Sequence, residues 1–179
     1  GFLFAQSFHP AMKHAAGARR ELGVRTLFNL LGPLSNPAGA THQLVGVFAE
    51  RWVVPLAQAL DRLGSRRALV VHGLDGADEI SLTAPTAVAE ASAGEVRSYR
   101  IDPEQFGLRR CGLEDLRASD AEDSAAKIRA VLAGAEGPRA DVVALNAGAA
   151  LYAAEASPSI AAGVGRARET LRSGRAAET

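Results

Sequence analysis

Unbroken apolar runs alternate with amphipathic segments along this chain, and their order predicts an α/β fold. Residues 43–48 (QLVGVF) and 68–72 (ALVVH) are continuously apolar but for Gln43 and His72 at their ends and of strand length, as in strands covered on both faces. Between them, residues 52–63 place Val53, Leu56, Leu60 and Leu63 on one helical stripe, and Gly64 follows as a stop. Strand, helix and strand joined by short loops predict a right-handed parallel crossover, hence a mainly parallel sheet flanked by helices. Residues 86–101 divide into two strand-like runs around Ala93 and Gly94, a predicted hairpin. Residues 103–116 are turn-rich. Ser119 and Asp120 then offer a cap to a helix over residues 121–132, and residues 142–154 and 160–171 predict two more, the first alanine-rich and buried. The tail GRAAET shows no anchor.

The first forty residues follow a different pattern. Phe2, Phe4, Phe8 and Met12 recur near helical spacing and predict a buried stripe. Pro10 suits the first turn of a helix over residues 11–22, and Gly23 is placed to end it. Thr26 can cap a second short helix through Leu31, closed by a turn at Gly32 and Pro33. Tight turns between two short helices would bring Arg19, Arg20, Arg25, Asn29 and Asn36 toward one pocket.

Composition narrows the function more than it names it. A chain of 179 residues, 47% hydrophobic and 22% charged, suits one globular domain. Its formal net charge of zero gives no basic footprint for nucleic acid. No apolar run reaches membrane-span length, and there is no signal-peptide pattern. One cysteine, Cys111, cannot close an internal disulfide, which points to a reducing cytosol, and no Cys/His spacing suggests zinc. Cys111 follows two arginines able to depress its pKa, but reads as an incidental loop cysteine. His14, His42 and His72 have no catalytic partner pattern, and no general base is assigned.

The sharpest chemical signal is the loop HGLDGADEIS, residues 72–81, directly after an apolar strand. Ligands of open α/β sheets bind beyond the carboxyl ends of strands. There Asp78 and Glu79 could supply the one or two carboxylates that magnesium takes beside water and phosphate oxygens. A solvated acidic turn is the competing reading. Arg19 and Arg20 each carry a guanidinium fork that matches a carboxylate, and helical geometry does not choose between them.

A family resemblance adds to these readings. The stretch HPAMKHAAGARRELGVRTLFNLLGPLSNPAG, residues 9–39, closely resembles the equivalent part of anthranilate phosphoribosyltransferase. HGLDGADEIS and AEDSAAKI, residues 121–128, match in the same order. The resemblance implies a fold of the nucleoside phosphorylase and phosphoribosyltransferase kind. It also implies transfer of the phosphoribosyl group of phosphoribosyl pyrophosphate to the amine of anthranilate, with Mg2+ as cofactor. By the same resemblance, Asp78 and Glu79 bind that magnesium, Arg19 binds the anthranilate carboxylate, and His9, Gly32 and Pro33 line the anthranilate pocket or its entrance. A cytoplasmic homodimer is implied for the full-length protein.

The family's glycine-rich turn GTGGD and its segment KHGN do not occur between Gly1 and Thr179. Residues 1–179 are therefore expected to be the C-terminal portion of a single α/β phosphoribosyltransferase domain, without the N-terminal helical domain, and inactive alone. Two alternatives stand beside this reading: a pyrimidine nucleoside phosphorylase-like transferase, and a non-catalytic relative that binds an anion or a metal.

Overall fold

The structure, a computed structural model, describes Gly17, Glu21, residues 28–36 and residues 38–178. The chain divides into two units, Gly1–Ala40 and Thr41–Thr179. In the first, Gly17 and Glu21 are helical, as expected for residues 11–22. Helix α1 spans Phe28–Leu34 and contains Pro33. Gly32 and Pro33 therefore do not form the expected turn; they belong to the last turn of the helix. A proline there forfeits only one hydrogen bond. The helix closes two residues later, where the Ser35 N–H donates to Leu31 O (3.0 Å) and the Ser35 hydroxyl donates to the same carbonyl at 2.7 Å. Asn36 Oδ1 then accepts from the Ala38 N–H at 3.0 Å, a side-chain-closed turn. The Phe2, Phe4, Phe8 and Met12 stripe lies outside the described residues.

The second unit is built on a four-stranded sheet in sequence order: β1 (His42–Gly46), β2 (Arg67–Gly73), β3 (Thr86–Ser92) and β4 (Glu95–Ile101). Helix α2 (Val53–Arg62) makes the crossover between β1 and β2, which pair in parallel as predicted. The two remaining pairs are antiparallel, so the sheet is mixed rather than mainly parallel among the described residues. The cause lies in the connections. A parallel neighbour for β2 would need a crossover, whereas residues 74–85 return the chain at the same end, so that Gly73 pairs with Thr86. Ala93 and Gly94 join β3 to β4 with φ of 54° and 80°, the two left-handed residues of a type I′ hairpin.

Period two sorts the side chains of β2. Leu69 and Val71 meet Val88, Leu145, Ala149, Ile160 and Val164 in one core on the face covered by helices α5 (Pro138–Ala153) and α6 (Ile160–Arg172). Ala68 and Val70 turn to the other face, where α2 buries Val53, Leu56, Ala57 and Leu60 against β2 and β3. Each buried valine or leucine there contributes about 1.5–3 kcal/mol. Leu63 does not extend that stripe. It lies one residue beyond α2 and is 64% exposed.

Two short segments, a 3₁₀ turn over Pro103–Phe106 and helix α3 (Leu113–Leu116), carry the chain from β4 to helix α4 (Ala121–Leu132). Helix α4 begins where expected, with the Asp120 carboxylate accepting from the Asp123 N–H at 2.8 Å. Asp123 in turn pairs with Lys127 one turn on, and the hydrogen bonds from Lys127 and Ser119 pull its carboxyl down to about 2. Helix α5 starts earlier than its apolar pattern, because Pro138 fits its first turn directly after Gly137 at φ 118°. Helices α5 and α6 touch backbone to backbone: a Cβ on Gly148 would stand 2.4 Å from the Val164 nitrogen. Ala176, in the tail that showed no anchor, packs beside Val131, Ala167 and Leu171. No helix among the described residues is long and apolar enough to cross a membrane.

Candidate functional site

Strand β2 is buried from Ala68 to Gly73, and the chain leaves its carboxyl end directly into the acidic loop. The Gly73 N–H donates to Ala77 O (2.8 Å), the Gly76 N–H donates to Gly73 O (2.8 Å), and the Leu74 N–H donates to Pro85 O (2.9 Å). Asp75 is a structural member of this loop. Its carboxylate accepts from the Ser81 hydroxyl (2.6 Å), the Thr83 hydroxyl and the Ala77 N–H (3.1 Å). Burial pushes the Asp75 carboxyl upward, but the hydrogen bonds from Ser81, Thr83 and Ala77 outweigh it and hold the group below the usual carboxylate range.

Asp78 and Glu79 differ from Asp75. Both are exposed, and neither carries an ion pair or a side-chain hydrogen bond among the described residues. Partial loss of hydration raises the Glu79 carboxyl, and the neighbouring negative charges of Asp78 and Asp75 raise it further. An uncompensated negative loop of this kind fits a hard cation. Two carboxylates are too few to enclose one: no group of three or more His, Cys, Asp or Glu residues able to hold a metal occurs among the described residues. Magnesium suits such a set, because it keeps several waters and takes phosphate oxygens beside one or two carboxylates. Glu79 also forms one rim of a cavity of about 300 Å³ whose walls include Leu116, Ile128, Val131 and Val143, with Lys127 and Arg139 at its polar edge.

The structure thus brings Asp78 and Glu79 together on one loop. Gly32 and Pro33 lie on α1, in the other unit, while His9 and Arg19 lie outside the described residues. His72 is buried, its Nδ1 2.8 Å from Val47 O. The Cys111 thiol is raised rather than depressed. Burial acts first, and the carboxylates of Asp115, Glu114 and Asp141 add to it.

Residues 1–177 match the model of a glycosyl transferase family, described as its a/b domain. The chain belongs to this family. It is 61% identical over 176 residues to an anthranilate phosphoribosyltransferase of Alkalilimnicola ehrlichii, covering 98% of this chain and 52% of that protein. A second relative of the same name, from Thioalkalivibrio sulfidiphilus, is 59% identical over 99% of the chain and 53% of its own length. The crystal structure of anthranilate phosphoribosyltransferase from Thermus thermophilus superposes with a TM-score of 0.92 at 53% identity, over 99% of this chain and 53% of that one. The Saccharomyces cerevisiae enzyme in complex with PRPP and Mg superposes at 0.84 with 25% identity, over 95% and 49%. The chain therefore spans about half the length of the relatives it matches.

Two groups near this loop carry no motif. Asn146 on α5 bonds both backbone groups of Ile80, and Gly46 at the end of β1 leaves room for the Asp78 carbonyl. The only signals in sequence are two: an amide in an otherwise alanine-rich helix, and a glycine interrupting an apolar strand.

Proposed function

We propose that the protein carrying this chain transfers the phosphoribosyl group of phosphoribosyl pyrophosphate to the amine of anthranilate, releasing phosphoribosylanthranilate and pyrophosphate in tryptophan biosynthesis. The carboxylates of Asp78 and Glu79, unpaired among the described residues at the carboxyl end of β2, support this reading most directly, in a chain 61% identical to an anthranilate phosphoribosyltransferase. Magnesium, when bound there with the donor, supplies positive charge beside the departing pyrophosphate. Asp78 and Glu79 would hold the ion, with phosphate and water completing its shell.

In the transfer, the anthranilate nitrogen forms the new bond to the anomeric carbon. The carbon–oxygen bond to pyrophosphate breaks with its electron pair, and the amine proton leaves to solvent. An aromatic amine is unprotonated at neutral pH, so its attack needs no strong base. Arg19 would fix the acceptor carboxylate through paired hydrogen bonds, which is a positioning role, and His9, Gly32 and Pro33 would border that acceptor. This assignment rests on the match of residues 9–39 to the family. A cytoplasmic homodimer belongs to the same proposal and rests on the same resemblance.

The deciding experiment follows loss of anthranilate fluorescence in the full gene product with phosphoribosyl pyrophosphate and magnesium. Turnover that fails with Asp78→Asn/Glu79→Gln, and recovers in part at high magnesium, is the expected result. Phosphorolysis of pyrimidine nucleosides without anthranilate turnover would overturn the reading, as would a double variant with unchanged magnesium dependence.

A further inference from the structure

The backbone of the acidic pair is held at two places: the Asp78–Glu79 peptide lies against Gly46, and both backbone groups of Ile80, the next residue, are bonded by Asn146. On one side lies Asn146 of α5. Its Oδ1 accepts from the Ile80 N–H at 2.9 Å, and its Nδ2 donates to Ile80 O at 2.9 Å and to Val142 O at 3.0 Å. The amide orientation is unambiguous, because the two carbonyls can face only the NH2 group. Asn146 thereby copies the rung of a β-ladder, satisfying both backbone groups of the residue that follows the acidic pair. Ile80 itself is 1% exposed and anchored in the core beside Leu145.

On the other side is the last residue of β1. A Cβ on Gly46 would stand 1.6 Å from the Asp78 carbonyl oxygen and 2.5 Å from its carbon, so the peptide rests directly on the backbone of β1. Two carboxylates that repel each other and form no ion pair among the described residues would spread apart on a pliable loop. Here their Cα atoms cannot move without breaking the Asn146 bonds or lifting off Gly46.

We propose that Asn146 is a positioning residue for the metal site: by clamping both backbone groups of Ile80 it holds the Asp78 and Glu79 carboxylates at the separation one divalent cation requires. The inference rests on the reading of Asp78 and Glu79 as metal ligands. Removing an outer partner of a metal site lowers affinity by about ten- to hundred-fold, and a partner acting through the backbone belongs at the lower end.

The test uses the full gene product, with manganese(II) as probe and phosphoribosyl pyrophosphate present without acceptor, so that no turnover occurs. Bound manganese is followed by electron paramagnetic resonance in Asn146→Ala, Asn146→Ser, Ala144→Gly and Asp78→Asn/Glu79→Gln. Ser at 146 can bond one of the Ile80 groups but not both, and it decides the matter if the alanine variant does not fold. Ala144→Gly weakens the same helix without touching Ile80. Both Asn146 variants should lose about tenfold in manganese affinity and keep the KM for anthranilate. Ala144→Gly should lower Tm and leave manganese affinity unchanged. Folded Asn146 variants that bind manganese within twofold of the parent, while the carboxylate double variant does not bind, would overturn the clamp and leave the metal site standing. Loss in Ala144→Gly equal to that in Asn146→Ala would also overturn it, as a mere effect of stability. A carboxylate double variant that binds manganese like the parent would remove the metal reading and the clamp together.

Discussion

Replacing Glu90 offers a direct measure of how a buried charge is accommodated in this sheet. Glu90 sits in β3 at 2% exposure, in a run that is otherwise small and apolar. Its Oε2 accepts from Arg97 (2.8 and 3.3 Å) and from the Tyr99 hydroxyl (3.0 Å), and its Oε1 accepts from the Tyr152 hydroxyl (2.8 Å). Arg67 Nε lies 3.7 Å from Oε1, while its guanidinium stacks on Tyr152 at 4.8 Å from the ring centroid. Burial pushes the Glu90 carboxyl upward, but the bonds from Arg97, Tyr152 and Tyr99 outweigh it and hold the group below its ordinary value of 4.5.

Glu90→Gln keeps the shape and removes the charge. Hydrogen bonds to a charged group contribute about 1.5–3 kcal/mol against about 0.5–1.5 for neutral ones, so the two tyrosine bonds lose about 1 kcal/mol each. Arg97 is 69% exposed and returns to water, so its share is small. A loss of about 2–3 kcal/mol at neutral pH follows, or roughly 5–10 °C in Tm at about 2–4 °C per kcal/mol. The folded pKa is depressed, so the carboxylate's contribution is fully present above 4.5 and disappears as pH falls through the folded value. Thermal unfolding of parent and variant by circular dichroism from about pH 7 to about pH 3 should therefore show two curves that converge in acid. A difference below about 0.5 kcal/mol at neutral pH, or curves that diverge in acid, would refute the reasoning.

Three further outcomes are expected. Gly148→Ala should destabilise by about 1–3 kcal/mol or more, the cost of overpacking a tight contact, because its Cβ would stand 2.4 Å from Val164 N; urea unfolding with an unchanged midpoint would show that α5 and α6 can separate freely. The raised Glu79 carboxyl takes up its proton at higher pH than an ordinary glutamate, so magnesium affinity should begin to fall with acidification above pH 4.5; titration calorimetry showing constant affinity down to that pH would contradict the role of Glu79. Arg19→Ala should raise the KM for anthranilate by about ten- to hundred-fold with little change for phosphoribosyl pyrophosphate, as for a charged hydrogen bond of about 1.5–3 kcal/mol; Arg20→Ala should do much less, and a reversed order would reassign the contact.

Local signals were legible wherever one residue type has one physical use. The apolar runs gave β1 and β2, the stripe of Val53, Leu56 and Leu60 gave α2, and Asp120 marked the start of α4. The small pair Ala93 and Gly94 gave the hairpin. The direction of β3 against β2 was not legible, because residues 74–85 carry no period and a strand buried on both faces looks alike in either direction. Pro33 misled as a stop because a single missing N–H is tolerated in a last turn. In the candidate site, the acidic pair announced itself by charge after an apolar run. Its supports did not, since Asn146 acts through backbone 66 residues away in sequence and Gly46 acts through the absence of a side chain. Glu90 was overlooked for the opposite reason: a lone carboxylate in an apolar strand gains its meaning only from Arg97, Tyr99 and Tyr152, which come from two other elements.

The return of the chain at the end of β2 has a consequence for how the acidic loop moves. Residues 74–85 leave and re-enter the sheet at one ladder pair, Gly73 with Thr86, and Thr86 Oγ1 also accepts from the Ser81 N–H at 3.0 Å. The loop is thus a ring closed at the two most interior strands of the sheet and held on its far side by the Asn146 bonds to Ile80. Opening such a ring requires either fraying β2 from β3 or breaking the Asn146 bonds to Ile80. Amide exchange should register this as a shared clock, with the N–H groups of Leu74 and Ser81 exchanging at the rate of the strand ends rather than at the rate of exposed turns. An acidic loop on the surface would then exchange more slowly than exposed turns do.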